Sequence, residues 1–223
     1  MPRHIIFDVN ETLLDVAALD PFFERLFGDA RTRVEWFLTL EESWLTATVI
    51  DRYQPFGELV QGALTMTGRR RGIHVTDAQR QELVEGLKTL PPHADVLQAL
   101  QSLRDHGLHL TALTNGSLDT AKQQLASAGL TDCFDAIMAV EEVKRYKPAP
   151  EPYRMVAERL GITTAEMTMV AAHAWDIAGA ASAGCQTAFV ARPGKVLNPV
   201  GIQPDIKGDD MREVVEKILA RQA

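Results

Sequence analysis

Cysteine is almost missing from this 223-residue chain, which carries only Cys133 and Cys185. They do not form a C-x-x-C pair, so neither a disulfide framework nor a cysteine-built zinc site is expected. Both read as small core residues in a reducing compartment. Long apolar runs are missing too: none reaches the roughly 18 residues of a membrane span. The chain enters its first strand by about Ile5, so no signal peptide is expected and the protein reads as cytoplasmic. Positive charge is in deficit, with 23 Lys and Arg against 30 Asp and Glu for a net charge of −7. That balance argues against a nucleic-acid partner. The basic cluster Arg69-Arg70-Arg71 reads as a solvated helix end. Internal repeats and low-complexity segments are absent. The length suits one substantial core, or a core with a smaller inserted domain.

What is present starts at the N-terminus. Ile5-Ile6-Phe7 is an apolar run with β propensity that stops at Asp8, followed by Asn10, Glu11 and Thr12. A buried parallel strand reads as a short continuous hydrophobic stretch, and its carboxyl end is where open α/β sheets place ligands. Asp8 therefore stands where a nucleophile, base or metal ligand is useful. A turn-capping role is the plain alternative.

From Ala17 to Leu90 the pattern is helical. Apolar residues recur at three- and four-residue spacing over 17–27, 32–50 and 56–67, with breaks at Gly28-Asp29, Gln54-Pro55 and Gly68 to Gly72. Thr76 with Gln79 predicts a capping box opening a helix to about Lys88. Past Pro91-Pro92, strands and helices alternate. Strands are expected over 108–113, 135–140, 167–171 and 187–191, and helices over 95–106, 118–128, 152–160, 176–183 and 211–221. Such alternation predicts a parallel sheet covered on both faces. The expected division is a discontinuous α/β core of residues 1–14 and 92–223, with an all-helical cap of residues 15–91.

Four strand ends converge on one place and offer Asp8 with Thr12, Thr114 with Asn115, Lys147, and Asp176. The fragments Asp8-Val9-Asn10-Glu11-Thr12, Leu113-Thr114-Asn115-Gly116, Tyr146-Lys147-Pro148 and Ala174-Trp175-Asp176 resemble the haloacid dehalogenase superfamily over essentially the whole chain. The resemblance implies a Rossmann-like parallel core with an inserted helical cap and an aspartate nucleophile at position 8. A carboxylate of this kind attacks carbon or phosphorus to form an ester that water later cleaves. Lys147 offers an opposite charge that keeps a nearby carboxylate ionised. Thr12 and Thr114 either donate to carboxylate oxygens or cap their helices.

Two positions separate the chemistries of that superfamily. Its phosphatases carry a second aspartate two residues after the nucleophile and a metal-binding acid just after the fourth strand; here these are Asn10 and Ala172. An amide cannot protonate a leaving oxygen, and a halide needs no such proton. The stretch from Ala172 through Ala180 resembles the type II 2-haloacid dehalogenases. The subgroup implies metal-independent, cofactor-free cleavage of a short 2-haloacid, with Asp176 and Lys147 handling the water. It also implies Asn115 near the halide, Tyr153 holding Lys147 and Asp176, and homodimer assembly through the cap.

The chain departs from that pattern at several places. His173 replaces an asparagine and is either a base or a hydrogen-bonded turn residue. Asn10-Glu11 replaces Tyr-Gly, and Glu11 reads as an exposed turn residue with no assigned role. Trp36 falls where the subgroup has a cap arginine, with Arg33 about one helical turn away. Trp36 is thus expected as a pocket wall. With Asn10, Tyr153 and Trp175 it completes the substrate-binding candidates, Trp175 reading also as a loop-packing residue. Alternatives to dehalogenation are a magnesium-dependent phosphate-ester hydrolase and a non-catalytic binding protein on the same scaffold.

Overall fold

A computed structural model describes residues 3–221 of the chain. Its six strands are β1 (His4–Phe7), β2 (His109–Thr114), β3 (Ala136–Ala139), β4 (Met167–Ala171), β5 (Gln186–Val190) and β6 (Ile206–Gly208). They form one sheet in the order β3-β2-β1-β4-β5-β6, with every neighbouring pair parallel. β1 and β4 occupy the middle, which is why Ile5, Ile6 and Phe7, and all of Met167 to Ala171, are buried. A central parallel strand has no solvent face, so its residues are apolar in succession rather than alternately.

Between β1 and β2 the chain is helical. A short turn over Val16–Leu19 leads into α1 (Asp20–Phe27), α2 (Thr32–Val49), α3 (Phe56–Arg70) and α4 (Asp77–Lys88), and α5 (Val96–Asp105) then returns the chain to β2. Gly28, at φ 73°, ends α1 by the left-handed conformation that glycine adopts without strain. Thr76 and Gln79 form a reciprocal capping box at the start of α4. The two chain crossings of this segment lie side by side. Asp15 donates to the Pro91 carbonyl at 2.8 Å, and His93 donates to the Leu13 carbonyl at 2.9 Å.

The remaining helices are α6 (Leu118–Ser127), α7 (Pro150–Leu160), α8 (Ala174–Ser182) and α9 (Met211–Ala220). One apolar cluster runs from Phe7 and Val9 through Leu13 and Leu14 to Phe23, Trp36, Trp44 and Leu64. At about 25 cal/mol per Å² of apolar surface, each large side chain of that cluster contributes roughly 2 kcal/mol. The helical segment is therefore welded to the sheet's upper edge by burial as well as by its stem.

Three local differences from the sequence reading have simple causes. α3 continues past Gly68 because that glycine lies under Ile73 and Val75, where a Cβ would meet atoms at 2.6 and 2.7 Å. It is a close-approach glycine, not a break. α7 and α8 each begin two residues early, α7 with Pro150 at its first position, where a missing amide costs nothing. β6 was not expected. It has only three residues, alternately buried and exposed, at the sheet edge, too short for a periodic signal. Cys133 and Cys185 are both free and buried. Among the described residues no helix is long and apolar enough to cross a membrane.

Candidate active site

The carboxyl ends of β1, β2 and β4 bring a chain of charges together. Asp8, one residue past β1, is 5% exposed. Its Oδ1 accepts from Lys147 Nζ at 2.9 Å, and its Oδ2 accepts from the Thr12 hydroxyl at 2.6 Å. Thr12 Oγ1 in turn accepts from the Ala172 amide at 3.0 Å, tying the β1 loop to the end of β4. Position 172 thus contributes a backbone donor where a metal-binding acid would project. Among the described residues no group of three or more His, Cys, Asp or Glu is arranged to hold a metal ion.

Lys147 has no exposed surface, and its ammonium has three acceptors. Besides Asp8 it donates to Asp176 Oδ2 at 2.7 Å and to the Leu113 carbonyl at 3.0 Å. Burial opposes its charge, but Asp176 and Asp8 outweigh that cost and raise its pKa above the ordinary value. Burial likewise opposes the Asp8 anion. Lys147, His173 and Thr12 overcome it and hold the carboxyl well below the usual range. Asp176 moves the other way: burial and the nearby Asp8 charge raise it, against the pull of Lys147. Its second oxygen accepts from the Tyr153 hydroxyl at 2.5 Å. Asp8 is thus the carboxylate held more firmly as an anion, and Asp176 is the anchor that holds Lys147 to it.

Asn115 and Lys147 fix one another through the backbone. The Lys147 amide donates to Asn115 Oδ1 at 2.9 Å, and Asn115 Nδ2 donates to the Lys147 carbonyl at 3.3 Å. Thr114 accepts from the Gly116 amide at 2.9 Å, which folds the loop above β2. Close packing below completes the arrangement. A Cβ on Gly179 of α8 would lie between 2.5 and 2.8 Å from Pro148, so glycine is what lets the Lys147-Pro148 stretch sit down on α8.

His173 is the residue whose surroundings most extend the sequence reading. Its Nδ1 lies 3.2 Å from Asp8 Oδ2 and its Nε2 lies 2.8 Å from Glu11 Oε2. The ring is also stacked on by Phe37 and Trp175. Burial disfavours the imidazolium, but the bonds and charges of Asp8 and Glu11 prevail and raise its pKa to about 9.

Glu11 requires a correction. It is 8% exposed, not an open turn residue, and stands at φ 64°, a conformation a side chain with a Cβ adopts only under constraint. The constraint is its carboxylate. Oε2 also accepts from Lys195 Nζ, and Oε1 faces the Arg33 guanidinium at 3.8 Å. Burial would raise its pKa; His173 and Lys195 lower it below the ordinary value. Arg33, about one helical turn from Trp36, reaches the site rim with α2 where it stands.

Trp36 also requires correction as a pocket wall. It is fully buried, donates to the Val60 carbonyl at 3.2 Å, and packs on Phe23 and Phe37. The next residue, Phe37, turns toward the core instead. Together with Glu11, Arg33, His93, Arg192 and Lys195 it lines a cavity of about 250 Å³ between α2 and the loop after β5. Tyr153, 1% exposed, lies behind Asp176 and holds it through the hydroxyl, as expected from the resemblance. Trp175 donates its indole N–H to Glu41 at 2.9 Å, and its ring lies 5.9 Å from the Lys147 ammonium. Asn10 accepts from Gln124 at 2.9 Å and lines a second cavity of about 70 Å³ with Phe56, Val60 and Gly116.

Residues 2–184 match the family model described as haloacid dehalogenase-like hydrolase. The chain belongs to the haloacid dehalogenase-like hydrolases. Within that family it is 31% identical to the (S)-2-haloacid dehalogenase of Pseudomonas sp. (strain YL), over 96% of this chain and 93% of the relative. The L-2-haloacid dehalogenase structure from Xanthobacter autotrophicus superposes with a TM-score of 0.92 at 26% identity, covering 98% of this chain and 99% of that one. The same enzyme with chloropropionic acid covalently bound superposes at 0.90, with the same identity and coverage. This dehalogenase-like hydrolase adds Glu11, Lys195 and Arg33 to the residues its motifs disclose.

Proposed function

We propose that this protein hydrolyses the carbon–halogen bond of a short 2-haloacid through an ester on Asp8. The observation that carries the reading is a buried, ionised Asp8 with donors on both oxygens, beside two positions, Asn10 and Ala172, without an acid. Asn10 is committed to Gln124, so nothing at that position protonates a phosphate leaving oxygen. The likeness to a dehalogenase carrying covalently bound chloropropionic acid supports the substrate class.

In the first step an Asp8 oxygen attacks C2 of the substrate, the carbon–halogen bond breaks, and the halide leaves with the electron pair. Lys147 and Thr12 hold the attacking carboxylate still and ionised. In the second step water attacks the Asp8 carbonyl carbon, the ester bond breaks, and the 2-hydroxyacid leaves. Asp176 is poorly suited as the base because both of its oxygens already accept, from Lys147 and Tyr153. His173 is better placed, with Nδ1 beside the esterified group.

Its protonation is timed by the reaction. While Asp8 is an anion, His173 holds its proton tightly; once the ester forms, that anion is gone and the imidazole pKa falls. The Nδ1 proton leaves to solvent by way of the cavity while Nε2–H stays on the Glu11 carboxylate, leaving a neutral base at Nδ1. That base takes one proton from the water and returns it to the departing hydroxyacid oxygen. The water's other proton, left on the Asp8 carboxyl, moves to Nδ1 and restores the starting pair, so one proton is released with the halide overall.

The helical segment 15–91 serves as the cap that covers this site, with residues 1–14 and 92–223 as the core. Two free buried cysteines fit a cytoplasmic setting. The decisive experiment is a single turnover of 2-chloropropionate in heavy-oxygen water with enzyme in excess. The expected result is label in the peptide containing Asp8, together with halide release unaffected by a chelator and abolished by Asp8→Ala. Label found only in the hydroxyacid, or equal halide from both proteins, overturns the reading.

A further inference from the structure

Arg33, Phe37 and Glu41 recur every four residues along α2 and so form one stripe on one helix face. Each meets a different part of the core site. Arg33 faces Glu11 at 3.8 Å. Phe37 stacks on His173 with centroids 5.9 Å apart and planes 9° from parallel. Glu41 accepts from the Trp175 indole at 2.9 Å, and Trp175 itself stacks on His173 at 4.8 Å. The imidazole is therefore held edge-on by Asp8 and Glu11 and face-on by two rings. One ring belongs to α2 and the other is tethered to α2.

We infer that this stripe of the cap helix positions the base: Phe37 and Glu41, through Trp175, fix the plane of the His173 ring so that Nδ1 stays on Asp8. The physical need is plain. The imidazole torsion is broad and two-fold, and a ring that turns loses both of its edge contacts. The stacking fixes the ring plane, and Asp8 and Glu11 then select which nitrogen faces which carboxylate. Water activation is thereby tied to the cap lying against the core. The inference rests on reading His173 as the base. It assigns positioning roles to Phe37 and Glu41, neither of which touches the reacting atoms.

Every charged group around the ring enters the test. Asp8 and Glu11 lie on its edge, and Lys195 bonds Glu11 and sits 5.1 Å from the Phe37 ring centroid. Arg33 faces Glu11 at 3.8 Å while its Nε donates to Asp20, Lys147 sits 5.9 Å from the Trp175 ring centroid, and Glu41 holds the indole. In the Glu41→Gln variant an acceptor oxygen for the indole remains, whereas in Glu41→Ala it is lost. Trp175→Phe retains a stacking ring without the N–H, which keeps the test open if Glu41→Ala does not fold.

The expected result is a kcat roughly tenfold lower in Glu41→Ala and Trp175→Phe, with KM within about twofold and recovery to within about threefold in Glu41→Gln. Histidine-labelled protein, followed by imidazole NMR, should show the His173 titration moving to lower pH in the two impaired variants and near its wild-type position in Glu41→Gln. An unmoved titration and pH–rate profile in Glu41→Ala overturns the inference, and so does Glu41→Gln behaving like Glu41→Ala. The imidazole titration needs no turnover. A wild-type enzyme that releases no halide therefore overturns the proposed reaction alone, and the clamp is then judged by the NMR shift.

Discussion

His173 Nε2 and Glu11 Oε2 lie 2.8 Å apart, although 162 positions separate the two residues in sequence. The pair resembles the carboxylate–imidazole half of a hydrolytic triad in its logic. An anion on one ring nitrogen fixes the tautomer and supports the charge that forms when the other nitrogen takes a proton. In the Glu11→Gln variant that anion is gone while a neutral acceptor remains. Its ester-cleaving step should slow roughly tenfold or more, within the range that a positioned base supplies. Halide should still be released in a first burst, and intact mass should show protein carrying the substrate adduct. A linear, burst-free time course with no adduct would assign Glu11 a purely structural part.

Stability should depend on pH through the same histidine. Its pKa is 6.5 in ordinary surroundings and about 9 in the fold, so the folded state binds the proton more tightly than the unfolded one. The contribution is fully present below pH 6.5 and disappears as pH rises through about 9. At about 1.4 kcal/mol per unit, the stake is on the order of 3 kcal/mol. Thermal unfolding followed from neutral to alkaline pH should show Tm falling by roughly 10 °C over this window. His173→Asn should flatten the curve. Asp8, depressed in the fold, works in the opposite sense: its contribution is present above its ordinary pKa of 3.8 and is lost in acid.

The parts of the site that sit on strand tips were legible in the sequence, because a buried parallel strand is an unbroken apolar word that ends where polar residues begin. Asp8, Thr114 and the β4 tip all follow such words. Lys147 and Asp176 lie within two stretches of the resembling motifs. Glu11 and Lys195 carry no comparable signal. One stands in a turn made special by a positive φ, the other in the irregular stretch after β5, and neither condition leaves a periodic trace. The site-facing side of α2 escaped for another reason. α2 carries apolar residues around most of its circumference, so periodicity could not decide between the adjacent Trp36 and Phe37 as the residue facing the site. Only packing against Phe23 and the Val60 carbonyl makes Trp36 the inward member.

Tyr153 offers a test of Asp176 as an anchor. The Tyr153→Phe change deletes the hydroxyl that donates to Asp176 Oδ1 at 2.5 Å and leaves a fully buried carboxylate oxygen without that donor. An unsatisfied buried acceptor costs about 1–3 kcal/mol. The Asp176 pKa, already raised, should climb further, because one of the bonds favouring its anion is gone. A more protonated Asp176 holds Lys147 less firmly, so kcat should fall while KM changes little. The drop should be greatest at low pH and recover as pH rises and Asp176 ionises. A uniform loss across all pH values would separate Tyr153 from the charge network.

Two glycine-to-alanine changes should move stability in opposite directions. At Gly62, inside α3, an added Cβ meets nothing within 4 Å. Removing glycine's extra freedom in the unfolded chain should therefore stabilise the fold by about 0.5–1 kcal/mol. At Gly179 the same methyl runs into Pro148 at 2.5 to 2.8 Å, and two of the three atoms it meets are backbone. Backbone cannot rotate aside as a long side chain can, so α8 and the Lys147-Pro148 stretch must separate, at a cost of about 1–3 kcal/mol. That separation pulls the Lys147 ammonium from Asp8 and Asp176, which lie 2.9 and 2.7 Å from it. Gly179→Ala should accordingly lose activity at temperatures where it is still folded, whereas Gly62→Ala should keep full activity with a higher Tm. Denaturant melts alongside halide assays measure both, and an active Gly179→Ala enzyme would mean that Lys147 tolerates displacement.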